Sequence, residues 1–343
     1  MRIMLTLDYE LFFGKQTGTP QACMIKACEA LLKVLEKYSA SVVFFVDASY
    51  LVRLREYSVR SAKLARDYSD VVSHIRKLEA RGHQIQLHIH PHWFDSWHDG
   101  GRWNMVTDRY RLAQWSHQDI GGLVTRCVRE LNSHLTRKVF VFRAGGWCVQ
   151  PFTAIADALR ANGISVDSSV FHGGAAESEV HRFDFRSAPQ MSCWKFDTDP
   201  CQPEPAGTFT ELAISSQYVS PLFYWRFALI RLFGQAKRHA RLGDGAPVEN
   251  GRRDLLHLLT RHSHMAVSID GYKATLLRRA FKRAKDQQHT HFVAMGHPKS
   301  LTPFGLDQLS SWLDEVYRNG GQLEVYPQPK IIAQVPAPAL AHG

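Results

Sequence analysis

The sequence is short of several things, and each shortage excludes a class. No run of about 20 apolar residues is present, so no membrane span is expected. The six cysteines, Cys23, Cys28, Cys127, Cys148, Cys193 and Cys201, form no C-x-x-C pair and no zinc-finger spacing. Free thiols in a reducing compartment are the reading that follows. The opening "MRIMLTLD" reads at once as a strand, with one basic residue and no apolar run leading to a cleavage site. A cytoplasmic location is therefore expected. Phosphate-loop, zinc-finger and RNA-binding signatures are missing too, and with them any argument for a nucleic-acid partner. No internal repeat is visible.

The 343 residues are 45% hydrophobic and 11% aromatic, enough for a large core and against disorder. Lys and Arg number 42 against 32 Asp and Glu, a formal charge of +10. That balance suits an anionic partner such as a phosphorylated sugar or a lipid headgroup, or simply a basic surface.

Short β-branched runs alternate with helical patterns along the chain. "RIMLTLD" (2–8), "SVVFFVD" (41–47), "HQIQLHI" (83–89), "KVFVF" (138–142), "ISVD" (164–167), "MAVSID" (265–270) and "HFVAMGH" (291–297) are the predicted strands. Helical periodicity at 22–38, 60–81, 117–136, 151–162, 273–287 and 305–318 separates them. This order predicts βαβ units, a parallel sheet and a closed or nearly closed α/β barrel. Asp8, Asp47, His88, Arg143, Asp167, Asp270 and His297 fall at the ends of these strands. In a parallel barrel those ends share one face, where active sites are built. Capping of the next helix is the plainer alternative for Asp47 and Asp167.

Two stretches interrupt the alternation. Residues 93–116 form a long loop with Trp93, Trp97, Trp103 and Trp115, suited to stacking on sugars or to a small core of its own. Residues 198–264 look like an insertion. Its segment 221–242 is apolar as far as Phe233 and basic afterwards. A packed helix with a solvated basic end is preferred there, and peripheral contact with a membrane surface is the alternative. "KATLLRRAFKRAK" (273–285) is read as an amphipathic helix with a charged outer face. The first 330 residues are expected to form one domain, with 331–343 a flexible tail.

The chemistry concentrates in "GHQIQLHIHPHW" (82–93). His88 and His92 are four apart, but Pro91 forbids a helix interior and no glutamate follows His88, so a helical zinc-protease motif is excluded. A strand ending in a loop still lets two imidazoles converge on one ion, with His90 pointing elsewhere to line the pocket. A catalytic divalent-metal site wants a third protein ligand. "LTLDYE" offers Asp8 and Glu10, two apart at the end of the first strand and on one face. One can ligate the ion while the other accepts a proton from water.

With those residues in view, the sequence resembles the polysaccharide deacetylases, the NodB-homology or carbohydrate esterase family 4 proteins. "GHQIQLHIHPHW" resembles their G-H-E-I-x-x-H-x-x-x-H motif, with His88 and His92 on the two metal histidines. "LTLDYE" resembles T-F-D-D, except that Tyr9 intervenes and the second acid is Glu10. "VVFFVD" resembles the family's A-T-F-F-V strand. "FRAGGW" (142–147) resembles R-P-P-x-G, but Ala144-Gly145 replaces Pro-Pro. "VDSSVF" (166–171) and "GHPKSL" (296–301) resemble later segments.

The resemblance implies a distorted (β/α)7 barrel with a helical insertion. It implies Asp8 as base, Glu10, His88 and His92 as metal ligands, Arg143 paired with the catalytic carboxylate and His297 as the acid that protonates the leaving amine. Trp93, Trp147 and His90 are the expected substrate contacts, and zinc the expected ion, with cobalt, nickel, manganese or iron as alternatives. The implied activity is removal of an N-acyl group, acetyl by default, from a sugar linked to a nucleotide or lipid in surface-polysaccharide or O-antigen synthesis. The rivals are a small-molecule amidase or sugar O-acetyl esterase, and a non-catalytic envelope-assembly protein.

Overall fold

The computed structural model of the chain describes residues 1–14, 16–233, 236–247 and 252–328. Its first three strands are β1 (Arg2–Tyr9), β2 (Val43–Asp47) and β3 (Gln84–Ile89). After them come β4 (Val141–Ala144), β5 (Val166–Asp167), β6 (Cys193–Phe196) and β7 (Phe209–Leu212). β8 (Ser216–Val219), β9 (Ser263–Ala266) and β10 (His291–Gly296) complete the set used below. The main sheet has eight strands in the order β6-β7-β5-β4-β3-β2-β1-β10. Its edge strand β6 runs antiparallel to β7, and the other seven are parallel.

The sheet curls until its ends nearly meet. Beyond β7, Ser215 donates its amide to Val293 O at 2.9 Å and accepts from Val293 N on its hydroxyl at 3.0 Å. Val267 N then reaches Ser215 O at 2.8 Å, and Ser268 bridges Met295 in parallel. The result is a nearly closed, barrel-like α/β sheet. Met4, Val43, Phe45, Val141, Leu212 and Val293 fill its interior with Tyr326, so the barrel is a packed core and not a pore.

Local chemistry explains the elements. β2 and β3 are buried along their whole length, as strands of a parallel sheet covered on both sides must be. Asp47 caps α2 (Ala48–Ser58) by accepting from Tyr50 N, and Ser61 caps α3 (Ala62–Ala80) through Leu64 N. Ser116 does the same for α4 (His117–Asn132) through Asp119 N. With α1 (Ala27–Glu36) and α5 (Ala156–Ala161), these helices bury their apolar stripes on the outside of the barrel.

Register brings the polar strand ends together. Asp47 stands opposite His88, and His88 opposite Arg143. Asp167 pairs with Phe142 on one side and Glu211 on the other. One rim of the barrel thus collects charge because the strands end in step.

Two expectations shift. Of "MAVSID" only Met265 and Ala266 lie in β9, antiparallel to β8, and the rest makes only a bridge to β10, because 213–215 already occupies the seam. The stretch 198–264, expected as an insertion, contributes β7 to the main sheet before it leaves as β8, α6 (Pro221–Phe233) and α7 (Arg252–Thr260). Residues 273–285 run from a 3-10 helix, Gly271–Leu276, into α8 (Leu277–Asp286), which buries Leu277, Ala280 and Ala284 with its charges outward. The last helix, α9 (Pro303–Arg318), starts with the Thr302 hydroxyl accepting from Gly305 N and Pro303 at its first position. The tail 331–343 lies outside the described residues.

Candidate metal and hydrolytic site

Glu10, just past β1, is at the centre of the charged rim. Its Oε2 lies 3.0 Å from His88 Nε2 and 2.8 Å from His90 Nε2. The donor atoms of Glu10, His88 and His90 all fall within 4.8 Å of one another, and all three residues are buried. His88 is the last-but-one residue of β3, and its Nδ1 sits 2.8 Å from Arg143 O, which fixes the tautomer that turns Nε2 inward. His90 is held through its own amide, which donates to Ser49 Oγ at 2.9 Å. Its ring packs on Phe13 at 4.0 Å between centroids.

The third histidine departs from expectation. His92 was the expected second imidazole ligand and His90 the pocket-lining one, but His90 faces Glu10. Pro91 starts a short helical turn, Pro91–Phe94, which carries the His92 ring sideways onto Tyr110. The two rings stack at 4.9 Å and 11°. Gly145 explains how His90 fits. A Cβ there would come 2.5 Å from His90 Nδ1, so the absence of a side chain at this position makes room for the ring.

Asp8 and Arg143 form the inner wall. Arg143 Nη1 is 2.6 Å from Asp8 Oδ1, and Nη2 donates to Thr6 Oγ1 at 3.0 Å and Ser168 Oγ at 3.2 Å. Its Nε donates to Ser168 O at 2.8 Å, and the guanidinium lies 4.0 Å above the Phe45 ring. Each of its three nitrogens is hydrogen-bonded, which is how a fully buried arginine is tolerated.

His297, just past β10, faces this wall. Its Nε2 is 3.6 Å from Asp8 Oδ2 and 3.7 Å from Glu10 Oε1. Asp270 takes both the His297 amide (2.8 Å) and Nδ1 (2.7 Å). Sequence reasoning gave Asp270 no role, although it also stands at the end of an apolar run. Lys299 was missed altogether. Its ammonium donates to Glu10 Oε1 at 2.8 Å and Leu11 O at 2.6 Å. Only its place two residues after His297 hinted at it.

The charges act on one another strongly. Burial alone would raise the Glu10 carboxyl, but Lys299 and the two imidazoles hold it well below the usual range. Burial likewise opposes charge on His88, yet Asp8, Glu10 and Asp47 outweigh it and lift that ring to about 9. At His90 burial prevails over Glu10 and pushes the ring down to about 4. Burial also works against His297, but Asp270 above all, with Asp8 and Glu10, keeps its pKa above the ordinary value.

Trp93 was expected to touch substrate and does not. It is fully buried, donates its indole N–H to Asp47 Oδ2 at 2.7 Å and packs on Tyr50 and Trp103. The tryptophan-rich loop thus has a small core of its own, with Trp97 the exposed member. Trp147 is half-buried against Phe171 and Phe183, directly after Gly145 and Gly146. None of the six cysteines takes part, and all are free.

No family model and no curated protein matches the sequence. Among solved structures the chain is similar to a GH57 branching enzyme of the hyperthermophilic archaeon Thermococcus kodakaraensis, in complex with glucose. That likeness has a TM-score of 0.51 at 9% identity, over 98% of this chain and 72% of that one. The likeness is one of fold. It is also similar to a putative polysaccharide deacetylase from Mycobacterium smegmatis, with TM-score 0.46, 14% identity, and 96% and 94% of the two chains covered. A polysaccharide deacetylase from Bacillus cereus gives TM-score 0.39 and 11% identity over 95% and 92%.

Proposed function

We propose that the protein is a metal-dependent hydrolase that removes an N-acyl group, acetyl in the simplest case, from a sugar. The observation that carries this reading is the convergence of Glu10, His88 and His90, flanked by the Asp8–Arg143 pair on one side and the His297–Asp270 pair on the other.

The residues fit an ion on their own geometry. His90 Nε2 lies 2.8 Å from Glu10 Oε2, yet the two are misaligned and His90 has no hydrogen-bond partner on either ring nitrogen among the described residues. A buried imidazole nitrogen without a proton partner beside a carboxylate is what a shared cation requires. One carboxylate and two imidazoles suit zinc first, with other first-row divalent ions able to replace it. When bound, such an ion would lower the pKa of a water toward about 7 and polarise the acyl oxygen.

The chain's own groups do the rest. Asp8 accepts the proton of the attacking water, and Arg143 fixes the orientation of its carboxylate. His297 lies across the crevice with Nε2 toward Asp8 and donates a proton to the departing nitrogen. Asp270 anchors the opposite ring nitrogen, which keeps the donating Nε2 aimed at the crevice. An amide needs this donor because an amine anion is too basic to leave, and such general acid catalysis contributes about 10²–10⁴-fold. Trp147 offers an aromatic face for a sugar ring.

The formal charge of +10 favours a substrate carried on a phosphate, whether nucleotide- or lipid-linked, as in synthesis of a surface polysaccharide. Metal-loaded protein incubated with N-acetyl sugars in both linkages should release acetate and a free amine in equal amounts. Metal bound without release from any acylated sugar would favour a non-catalytic role. An esterase is the second reading, because Lys299 holds Glu10 whatever leaves; it predicts O-acetyl turnover that survives loss of His297.

A further inference from the structure

The apolar residues of α6 are turned outward. Leu222, Trp225 and Leu229 are 55%, 52% and 51% exposed, and their spacing places them on one stripe of the helix. The other face is already engaged. Phe223 and Phe227 stack on Tyr272 at 5.3 and 5.6 Å, and Tyr224 Oη meets Ser263 Oγ at 3.0 Å. Trp225 donates its indole N–H to Leu259 O on α7, and Leu256, one turn earlier on α7, is 63% exposed. The patch therefore continues from one helix to the next.

Basic residues predominate around this patch, although Asp254 lies on α7 and Arg238 pairs with Asp307 at 3.1 Å. Arg226 on α6 and Arg261 just after α7 are exposed. From Tyr218 to Gly243 the sequence carries Arg226, Arg231, Lys237, Arg238 and Arg241 and no acidic residue. The patch also borders the site. Tyr272 follows Asp270 by two residues, and the chain after α6 returns so that Gly243 N donates to Lys299 O and Leu242 N to Leu301 O.

We propose that this face docks on a bilayer containing anionic phospholipid, with α6 in the plane of the interface. The stripe enters the boundary between headgroups and acyl chains, the indole sits at headgroup level, and the basic residues answer the lipid charge. The helix lies on the surface, since no helix among the described residues is long and apolar enough to cross. A second copy of the chain is the poorer occupant, because two-fold pairing would set like basic residues against each other. Docking needs nothing from the hydrolase reading. That the acylated sugar is then lipid-linked does rest on it.

Sedimentation of the full-length chain with vesicles tests the docking directly. Phosphatidylcholine vesicles containing phosphatidylglycerol should carry the protein down, pure phosphatidylcholine much less, and added salt should release it. Replacing Leu222→Ser and Leu229→Ser together should lower partitioning about tenfold with the thermal transition unchanged. If that variant does not fold, Arg226→Glu with Lys237→Glu should give the same loss on anionic vesicles alone. No partitioning onto anionic vesicles, or equal partitioning by folded variants, overturns the proposal. So does a stable dimer in solution that the serine variant dissociates. Soluble nucleotide-linked sugars turned over as fast as lipid-linked ones would remove the substrate corollary and leave docking intact.

Discussion

The inner wall and the outer rim of the site hold their charges in opposite ways. On the wall, Arg143 is entirely buried and Asp8 nearly so, and each nitrogen of the guanidinium donates to Asp8, Thr6 or Ser168. On the rim, His297 and Asp270 keep 21% and 13% of their side chains in solvent. The wall is built from β1 and β4, whose packing nothing on the surface can adjust. The rim comes from the seam, where β10 and the segment after β9 meet through a single bridge. A proton acceptor benefits from the fixed wall, and a proton donor that must be recharged from water benefits from the rim.

The comparison breaks most visibly at Asp8. Asp8→Asn should cut hydrolysis by about 10⁴-fold, because the amide cannot accept the proton of water. Calorimetric titration should show the metal still bound, as Glu10, His88 and His90 are untouched. Arg143→Met, by contrast, strands Asp8 in the wall and should cost about 3–5 kcal/mol of stability in denaturant unfolding, beyond any loss of rate. On the rim, His297→Ala should lower amide turnover about 10²–10⁴-fold and leave the unfolding midpoint nearly unchanged. Equal destabilisation by the two variants would erase the distinction between wall and rim.

Much of this arrangement was legible in the sequence. Short β-type runs ending at Asp8, His88 and Arg143, separated by helical patterns, announce a parallel sheet with its chemistry at one end, and β-strand periodicity gives the face each residue shares. The choice between His90 and His92 was not legible. Alternation along a strand puts His88, His90 and His92 on one side, but Pro91 begins a turn and rotates His92 away, and no local pattern reports the sense of that rotation. Asp270 and Lys299 were hidden for another reason. Their partners lie 27 and 289 positions away, so only closure of the barrel brings them into contact. Trp93 misled because an indole suits a sugar and a core equally well.

Gly145 offers a finer cut on the wall side. Gly145→Ala would place a Cβ 2.5–2.7 Å from His90 ring atoms, and the ring must move. Metal affinity should fall about 10–100-fold, the usual cost of misplacing a ligand through its support. His92→Phe keeps the stack on Tyr110 and should leave affinity within a few-fold. Were the order reversed, with His92→Phe releasing the ion and Gly145→Ala retaining it, His92 would be the ligand after all.

The smallest effect, and the one that bears most on the rim, is expected from Asp270→Asn. Asp270 is the first of the carboxylates that raise His297 against burial, and its own carboxyl is held low mainly by that imidazole, burial opposing. A raised histidine keeps its proton to higher pH, so activity that needs imidazolium should decline only as pH climbs past the ordinary histidine range. Removing the Asp270 charge lets burial act unopposed by its largest counterweight, and the alkaline limb of kcat/KM should move to lower pH. At neutral pH the loss should be about tenfold, smaller than for His297→Ala because the ring itself remains. Asp270→Glu should restore part of the limb. A uniform loss at every pH would mean that Asp270 only braces the seam, and that wall and rim differ in exposure but not in proton chemistry.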